Sequence, residues 1–382
     1  MRLRGLLLRT GGAAPALDAG ADHESRPRRA RARRRCRDQG CSDSRRDHLG
    51  RPGNDRMDTA IAARRRLGAL QRIFGLRDFG VLVAAVLIAV FFSALTPVFL
   101  TSYNLFNILR QTAELGIIAM AMTILIVGGE FDLSVGAIYA VTGVVAGVLA
   151  SRVGVDIWLA AAAGILSALA LGALNAVLIA STRINSFIAT LATMMVYRGI
   201  AMVLSQGQPI SFRLDFFMDL FGRAELFGVL PVPVVWFAAW GVFAYVLLHR
   251  TTFGVRVFAT GDNREAAELA GIKTARVKSI AFLITALASG LAALISLSFL
   301  KTVTPTQGTG LELEAIAAAV IGGTAMSGGV GSILGTFLGT FIMAEVRTGL
   351  VLLGTDAYVQ DAFVGLVIAL AVIVNVKLSA RK

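Results

Sequence analysis

The sequence from Phe79 onward is a succession of apolar runs, each close to the roughly 20 residues that a helix needs to cross a bilayer. A fold that stays in water does not bury so many consecutive helices that are apolar on every face. The chain is therefore expected to be an all-α polytopic membrane protein with about ten transmembrane helices. We place these spans at about 79–95, 106–128, 133–151, 157–180, 186–204, 229–248, 279–299, 312–327, 332–353 and 358–376.

Lysine and arginine are unevenly distributed among the segments that connect these spans. With the N-terminus inside and counting from Met57, the inside segments hold 15 of these residues and the outside segments hold 4. Cytoplasmic loops of membrane proteins carry such an excess of positive charge. We therefore expect both termini inside, a basic cytoplasmic segment over 57–78, a cytoplasmic loop over 249–278 and a basic tail over 377–382. The membrane domain then covers 79–376.

Residues 1–56 have a different composition from the rest of the chain. They hold 15 of the 37 lysine and arginine residues, all 15 of them arginine, together with 7 of the 24 acids and both cysteines. Such a run can bind nucleic acid or anionic lipid. We instead expect a disordered extension, or one that is not translated because synthesis starts at Met57, and we expect no nucleic-acid partner.

Several kinds of active site are absent from the sequence. There is no G-x-x-x-x-G-K-[ST] and no H-E-x-x-H, and His249 is the sole histidine after Met57. Cysteine is also absent after Met57, so a cysteine-ligated metal site cannot form there. We expect that the chain is not an enzyme and that it binds no metal or cofactor of its own.

The charged segment "GDNREAAELAGI", residues 261–272, lies between two apolar runs. Gly261 is expected to break the chain, Asp262 or Asn263 to cap a helix, and Glu265 to favour its first turn. Gly271 is well placed as the residue after the helix end. A helix of about two turns is too short to be stable alone. It must pack on this protein's own helix ends or on a partner, and the residues alone leave both open.

Two segments, "GGEFDLSVG" (128–136) and "GGTAMSGGVG" (322–331), are glycine-rich junctions between apolar runs. Paired glycines permit a tight reversal, and Asp132 or Ser134 can cap the helix that follows. Each junction is either a capped turn at the cytoplasmic face or a broken helix that lines a pathway. The residues that we single out are Gly128, Gly129, Asp132, Ser134 and Gly136 in the first motif, and Gly322, Gly323, Ser327, Gly328 and Gly329 in the second.

Ionisable and polar residues inside apolar spans are candidates for function. Arg110 and Glu114 stand four apart and can pair, whereas Arg198, Glu345 and Arg347 need partners elsewhere. Such charges also serve simply to pair helices or to reach the headgroups. The polar residues that could meet a substrate on its path are Gln111, Glu114, Asn175, Asn185, Thr193 and Tyr197.

Three motifs resemble those of one family of transport proteins. "EAAELAG" (265–271) resembles the Glu-Ala-Ala-x3-Gly pattern of ABC importer permeases. "GGEFDLSVGAI" (128–138) and "AIAAAVIGGTAMSGGVGSILGT" (315–336) are similar to the two signatures of the ribose-type sugar permeases. The similarity runs from about Phe99 to Val376 with the motifs in family order. The chain departs from the family pattern at Glu130-Phe131, which stand where the family has a single isoleucine.

The resemblance implies the permease subunit of an ATP-driven importer for a monosaccharide or related polyol in a bacterial inner membrane. It also implies three partners: a cytoplasmic ABC ATPase that uses ATP and Mg²⁺, a periplasmic sugar-binding protein, and a second permease copy, identical or paralogous. An ATP-independent, ion-coupled secondary transporter is the alternative, with Glu114 or Glu345 as the coupling carboxylate. The residues implied in coupling to the ATPase are Gly261, Asp262, Asn263, Glu265, Ala266, Ala267, Leu269 and Gly271.

Overall fold

The computed structural model describes residues 76–182, 184–211, 215–226 and 230–379. The predicted extension over 1–56 lies outside these residues, as do most of the predicted basic segments over 57–78 and 377–382. Statements about the fold and its contacts below concern the described residues.

The described part of the chain is almost entirely helical. Its α-helices are α1 Leu76–Leu95, α2 Ser102–Val127, α3 Val135–Val148, α4 Ile157–Thr182, α5 Ser186–Ser205, α6 Asp215–Met218, α7 Val232–His249, α8 Thr252–Asp262, α9 Arg264–Leu269, α10 Thr274–Leu300, α11 Leu311–Ile321, α12 Ile333–Leu352 and α13 Ala357–Ser379. A turn of π-helix, Leu149–Val153, extends α3, and another, Asp219–Arg223, follows α6.

Four two-residue strands lie in the connections. They are β1 Ile210–Ser211, β2 Glu225–Leu226, β3 Leu230–Pro231 and β4 Thr302–Val303. β1 pairs with β4 in antiparallel register, Ile210 opposite Val303, and β2 pairs with β3. The first pair ties the loop after α5 to the end of α10.

Seven described helices are long and apolar enough to cross a membrane: α2, α3 with its π-turn (Val135–Val153), α4, α5, α7, α10 and α12. Phe79–Leu95 and Tyr358–Leu370 are shorter apolar helices. The prediction of membrane-crossing helices is confirmed for these seven, and the count of ten and the orientation stay predictions. Of the predicted spans, the one over 312–327 agrees least with the structure, because the helix found there, α11, has only 11 residues. At 1.5 Å a residue it rises about 16 Å, about half of the hydrocarbon thickness.

The helices α2 and α12 run antiparallel along each other through the interior. The hydroxyls of Thr123 and Thr336 lie 2.6 Å apart, and Gln111 Nε2 donates to Thr348 Oγ1 at 3.3 Å. Each helix carries its two contact residues twelve positions apart, so the two contacts are separated by about 18 Å. Their spacing fixes both the register and the direction of the pair.

The interior and the periphery of the bundle differ in exposure. Most residues of α2, α3, α10 and α12 are buried. The helices α4, α5 and α7 instead expose large apolar side chains, among them Leu166, Val177, Met195, Val203 and Val242. Such an outer surface suits contact with lipid tails rather than water.

Small residues bring the interior helices close together. A Cβ on Gly164 would lie 2.9 Å from the Thr142 carbonyl oxygen, and Gly172 packs against Ala286. Gly339 packs against the backbone of Ala318. Only glycine allows the backbones to approach so closely.

An irregular segment, residues 304–310, connects β4 to α11 and lies alongside α3. Val303 packs against Gly143 and Gly147 of α3, and Gly308 packs against Gly136. The segment therefore descends along α3 over roughly 10–16 Å before α11 begins. We call residues 304–310 the re-entrant segment. The re-entrant segment supplies the length that α11 alone lacks for crossing a bilayer.

Candidate functional site

Three segments that are far apart in the sequence meet at one end of the bundle: the loop after α2, the last turn of α8, and the loop between α11 and α12. The backbone N–H of Gly329 donates to the carbonyl of Val127 at 2.9 Å. Gly261 lies against both of these residues, and Gly328 lies against Gly261 and Gly129. We call Gly129, Gly261, Gly328 and Gly329 the glycine junction.

Gly261 is required at the junction because there is no room for a side chain. A Cβ there would overlap the carbonyl oxygen of Val127 and would lie 2.8 Å from the nitrogen of Gly329. The prediction that Gly261 breaks the chain is wrong, since it lies inside α8, which ends at Asp262. Close packing between backbones, rather than turn geometry, selects glycine at this position.

The helix predicted within 261–272 is present as α9, and its caps are those expected. Asn263, rather than Asp262, caps it, because its Oδ1 accepts from the N–H of Ala266 at 3.0 Å. Gly271 follows the helix with φ +82°, a conformation that favours glycine. The N–H of Ile272 returns to the carbonyl of Ala267 at 3.0 Å and closes the helix end.

Helix α9 exposes nearly all of its surface. Ala267 is its one buried residue, whereas the side chain of Leu269 is 90% exposed. Asp262, Glu265 and Ala266 are exposed as well. The helix therefore packs on its own chain through a single alanine and presents an apolar residue flanked by charge to the outside.

The connection from α9 to α10 is held by its own side chains. Glu268 accepts from Arg264 Nε at 3.0 Å and from Thr274 Oγ1 at 2.5 Å. Thr274 is the first residue of α10. Glu268 therefore links α9 directly to the start of the long interior helix α10.

Hydroxyls of α5 bind backbone donors of the first glycine motif. Ser186 Oγ accepts from the N–H of Phe131 at 3.1 Å, and Thr190 Oγ1 accepts from the N–H of Leu133 at 3.0 Å. Buried backbone donors need such partners.

The motif begins with a capped turn at the end of α2. Gly129 has φ +81°, and the N–H of Glu130 returns to the carbonyl of Leu125 at 3.1 Å. The tight reversal predicted at the paired glycines is therefore confirmed, and a pathway along this connection stays a prediction.

Asp132 is the centre of a buried network rather than a helix cap. Its Oδ1 accepts from the N–H and the hydroxyl of Ser134, at 2.8 and 2.6 Å. Asn175 Nδ2 donates to Ser134 Oγ at 2.8 Å, and Tyr197 OH donates to Asn175 Oδ1 at 2.8 Å. The prediction that Ser134 caps α3 through its side chain is wrong, because no such cap hydrogen bond forms, whereas Asp132 binds the N–H of the residue just before the helix.

Glu130, at the point where the chain departs from the family pattern, forms an ion pair with Lys278 of α10. Both side chains are largely buried. The pair joins the first glycine motif to the first turns of the helix that follows α9. The extra carboxylate therefore has a definite partner near the junction.

The second glycine motif packs closely against α12. Gly322 lies against the backbone of Gly335 and Thr336. Within the motif the N–H of Ala325 donates to the carbonyl of Val330 at 2.9 Å. Ser327 is exposed, so it lies on the outer side of this loop.

The six residues predicted to line a substrate path lie in different parts of the structure. Asn175 and Tyr197 belong to the Asp132 network. Asn185 caps α5 by accepting from the N–H of Phe187 at 2.9 Å, and Thr193 donates to the carbonyl of Thr190 at 3.2 Å. Gln111 joins α2 to α12, as described above. Glu114 is bound by the hydroxyl of Tyr139, which also accepts from Gln307 of the re-entrant segment.

Glu114 lies in a group of polar residues that the sequence did not bring together. The hydroxyl of Tyr139 donates to Glu114. Gln307 Nε2 donates to the hydroxyl oxygen of Tyr139 at 3.4 Å and to Ser296 Oγ at 3.0 Å. We call Glu114, Tyr139, Ser296 and Gln307 the polar cluster. The signal in the sequence was weak, because one tyrosine and one serine inside apolar runs are unremarkable.

The charged residues of the spans find partners other than those expected. Arg110 lies 3.8 Å over the ring of Phe299 and donates to Asn107 at 2.6 Å. The predicted pair of Arg110 with Glu114 is not among the ion pairs of the described residues, because Tyr139 takes the carboxylate. Arg198 donates to the carbonyls of Pro305 and Gln307 at 2.9 and 2.8 Å.

Near the end of α12, Arg347 pairs with Glu314 of α11 at 2.8 Å. Glu345 is buried at 2% exposure, and its Oε2 has no hydrogen-bond partner among the described residues. The described residues contain no cluster of three histidine or acidic side chains that could hold a metal ion. The site thus consists of close backbone contacts between helices and of buried polar side chains.

The seven long apolar helices around a partly polar interior indicate a multi-pass integral membrane protein. The chain belongs to the family described as "Branched-chain amino acid transport system / permease component", which matches residues 104–372.

Individual relatives cover most of the chain. It is 41% identical over 307 residues to the ribose import permease protein RbsC of Bacillus subtilis (strain 168), covering 80% of this chain and 94% of that protein. It is 40% identical over 305 residues to RbsC of Escherichia coli (strain K12), covering 78% and 92%. It is 37% identical over 318 residues to the L-arabinose ABC transporter permease protein AraH of Azospirillum brasilense, covering 83% and 92%. No solved structure matches the chain.

Proposed function

We propose that this chain is the permease subunit of an ATP-driven importer that moves a monosaccharide, most specifically a pentose, or a related polyol across a bacterial inner membrane. The relatives named above are ribose and L-arabinose permeases. In this proposal a periplasmic sugar-binding protein delivers the substrate, and two permease copies, identical or paralogous, form the pathway. A separate cytoplasmic ATPase binds and hydrolyses ATP with Mg²⁺, so the chain itself needs no cofactor.

The observation that carries the proposal is the exposure of α9. An apolar side chain that is 90% exposed on a capped helix outside the spans is what a docking helix requires. Helix α9 follows directly after α8, whose Gly261 lies in the glycine junction, and it contacts the start of α10 through Glu268. Motion of an ATPase bound to α9 would therefore reach both glycine motifs and the long helix α10 through direct contacts.

The test is co-purification of the ATPase with the full chain. The chain, tagged at its C-terminus, is solubilised gently from its native membrane, and bound proteins are identified by mass spectrometry. We compare wild type with Leu269→Asp and Glu265→Lys, which change exposed residues of α9. Losing one buried leucine contact costs about 1.5–3 kcal/mol, so the recovered ATPase should fall by about tenfold or more for Leu269→Asp.

Glu225→Lys is the matched control, because Glu225 is exposed in the β2–β3 connection and is far from α9 in the chain. It should retain the ATPase. Recovery of a P-loop ATPase with wild type and with Glu225→Lys, but not with Leu269→Asp, supports the assignment. Equal recovery with all variants, or no ATPase with any, would contradict the role of α9.

A branched-chain amino acid is the second candidate substrate, because the description of the matching family names such a transport system. Uptake of labelled D-ribose, L-arabinose and L-leucine into vesicles, each with its own binding protein added, separates the two classes. The polar cluster offers hydroxyl, amide and carboxylate partners, which suit a polyol better than an aliphatic side chain. Uptake of leucine alone would overturn the sugar assignment.

An ion-coupled secondary transporter is the remaining alternative, and the buried Glu345, whose Oε2 has no hydrogen-bond partner, is the observation in its favour. The energy source decides between the two mechanisms. Dissipating the proton gradient while ATP is maintained should leave uptake unchanged for an ATP-driven importer. Loss of uptake under these conditions would favour the secondary transporter.

A further inference from the structure

The polar cluster lies deep within the bundle. Glu114 stands 13 residues before the end of α2 at Val127, so it lies about 20 Å from the glycine junction along the helix. The hydrocarbon core of a bilayer is about 30 Å thick, so the cluster is within it. Polar and charged side chains at that depth are costly and mark substrate pathways by default.

The re-entrant segment beside the cluster exposes part of its backbone and side chains. Thr306 and Thr309 are exposed, and Gln307 is half-buried. Irregular backbone does not persist against lipid tails, because its polar groups would lack partners. It occurs at membrane depth only where protein covers it or where it lines a water-filled cavity. The exposed side of the segment therefore faces water or another protein surface.

Glycine and arginine contacts fix the segment in place. Gly308 packs against Gly136 and against the ring of Tyr139. Arg198 binds two carbonyls of the segment, as described above, and the Oε1 of Gln307 accepts from the N–H of Thr304 at 3.3 Å. The side-chain amide of Gln307 is thereby held beside Tyr139 and Glu114. A site of fixed geometry results, although its members lie on α2, α3, α10 and the re-entrant segment.

We propose that Glu114, Tyr139 and Gln307 form a polyol-binding site within the translocation path, lined on its open side by the re-entrant segment. The inference rests on the proposed function, and it names the place and chemistry of substrate contact. A carboxylate accepts hydrogen bonds from two hydroxyls, and a phenol and an amide each donate and accept. In this structure the three groups hydrogen-bond to one another. A bound sugar would therefore replace these hydrogen bonds with its own. Binding is then weak, as release requires.

The first part of the test asks whether the re-entrant segment faces water. The chain has two cysteines, Cys36 and Cys41, and both are replaced by serine in the full chain. Thr306→Cys and, separately, Thr309→Cys are then treated with a hydrophilic maleimide in open membrane fragments that contain the complete transporter with ATP. Leu166→Cys is the matched control, because Leu166 is equally exposed but lies on the apolar outer surface of α4. A thiol in lipid does not ionise and does not react.

The second part asks whether a polyol occupies the site. D-ribose or L-arabinose is expected to slow labelling of Thr306→Cys or Thr309→Cys, whereas L-leucine at the same concentration is not. Adding Tyr139→Phe, which removes one hydroxyl and keeps the ring against Gly308, should raise the sugar concentration for half-protection by about tenfold, as should Glu114→Gln. Tyr197→Phe removes a hydroxyl from the Asp132 network instead and should leave protection unchanged.

Each outcome decides the inference. Labelling of the threonine positions with protection that Tyr139→Phe weakens supports it. Failure of both positions to label, labelling that neither pentose slows, or equal protection in Tyr139→Phe, Glu114→Gln and wild type overturns it. ATP dependence of uptake, measured in intact cells that carry the same variants, keeps the two proposals apart. ATP-driven uptake without protection defeats this site alone, whereas protection with proton-driven uptake defeats the ATP-driven mechanism alone.

Discussion

At the scale of single residues, the glycine junction depends on glycine having no side chain. Gly261 sits where a methyl group would overlap the carbonyl of Val127, so three segments meet through backbone alone. Side chains would separate them by several ångströms. A single added carbon atom should therefore disturb the contact between the predicted coupling loop and both glycine motifs.

Gly261→Ala is therefore expected to destabilise the protein by about 1–3 kcal/mol, the usual cost of overpacking, and to lower ATP-driven uptake. Gly199→Ala is its control, because Gly199 lies within α5 and a Cβ there would meet nothing within 4 Å. Since alanine favours helix over glycine by about 1 kcal/mol, the control should be neutral or stabilising. Thermal unfolding in detergent measures both, and equal melting temperatures for the two variants would contradict close packing at Gly261.

The ion pair of Glu130 with Lys278 makes a second prediction at this scale. Removing one partner of a largely buried pair leaves an uncompensated charge and costs about 3–5 kcal/mol, whereas removing both costs less. Glu130→Gln and Lys278→Met should each lower the melting temperature more than the double variant does. A double-mutant cycle on thermal unfolding measures the coupling. Additive effects would show that the two side chains act independently.

At the scale of elements, local signals were readable in the sequence and long-range ones were not. The caps of α9 at Asn263 and Gly271 follow from adjacent residues, and the structure has them. The Asp132 network joins side chains from α4, α5 and the loop between α2 and α3, and no pattern of neighbouring residues predicts it. Glu114 looked like a partner for Arg110 because they stand four apart, but a tyrosine from α3 takes its carboxylate.

The broken passage through 304–321 was missed for a similar reason. Its window is apolar enough to be a span, and hydropathy does not distinguish a full helix from an irregular segment followed by a short one. Gly308 and Gly310 both have positive φ, so α11 cannot begin before them. The close packing at Gly308 involves Gly136 of α3. Because Gly136 is distant in sequence, no local pattern predicts this contact.

Thr190 and Thr193 of α5 offer a matched prediction about the first glycine motif. Thr190→Val removes the acceptor for the buried N–H of Leu133, which should cost about 1–3 kcal/mol. Thr193→Val removes a hydroxyl that donates to the carbonyl of Thr190 in its own helix turn and binds no backbone N–H of the motif, so it should cost clearly less. Thermal unfolding compares the two isosteric changes, and an equal loss of stability would show that Thr190 does not hold the motif.

At the scale of the whole molecule, the distribution of positive charge predicts on which side of the membrane each loop lies. The excess of positive charge predicts that α9 is cytoplasmic and that the β2–β3 connection is external. Between Glu225 and Leu269 the chain has a single membrane-length helix, α7. The two loops must therefore lie on opposite sides if α7 crosses the bilayer, whatever the total number of spans.

Cysteine labelling tests this arrangement directly, because the chain after Met57 has no cysteine of its own. With Cys36 and Cys41 replaced by serine, Glu225→Cys should react with an impermeant maleimide in intact spheroplasts, and Leu269→Cys only after the membrane is opened. Both side chains are exposed, so access rather than burial decides the reaction. The reverse pattern would place α9 outside and remove it from any cytoplasmic ATPase. Reaction of both in intact spheroplasts would mean that α7 does not span the membrane, and the charge argument would then fail at its first step.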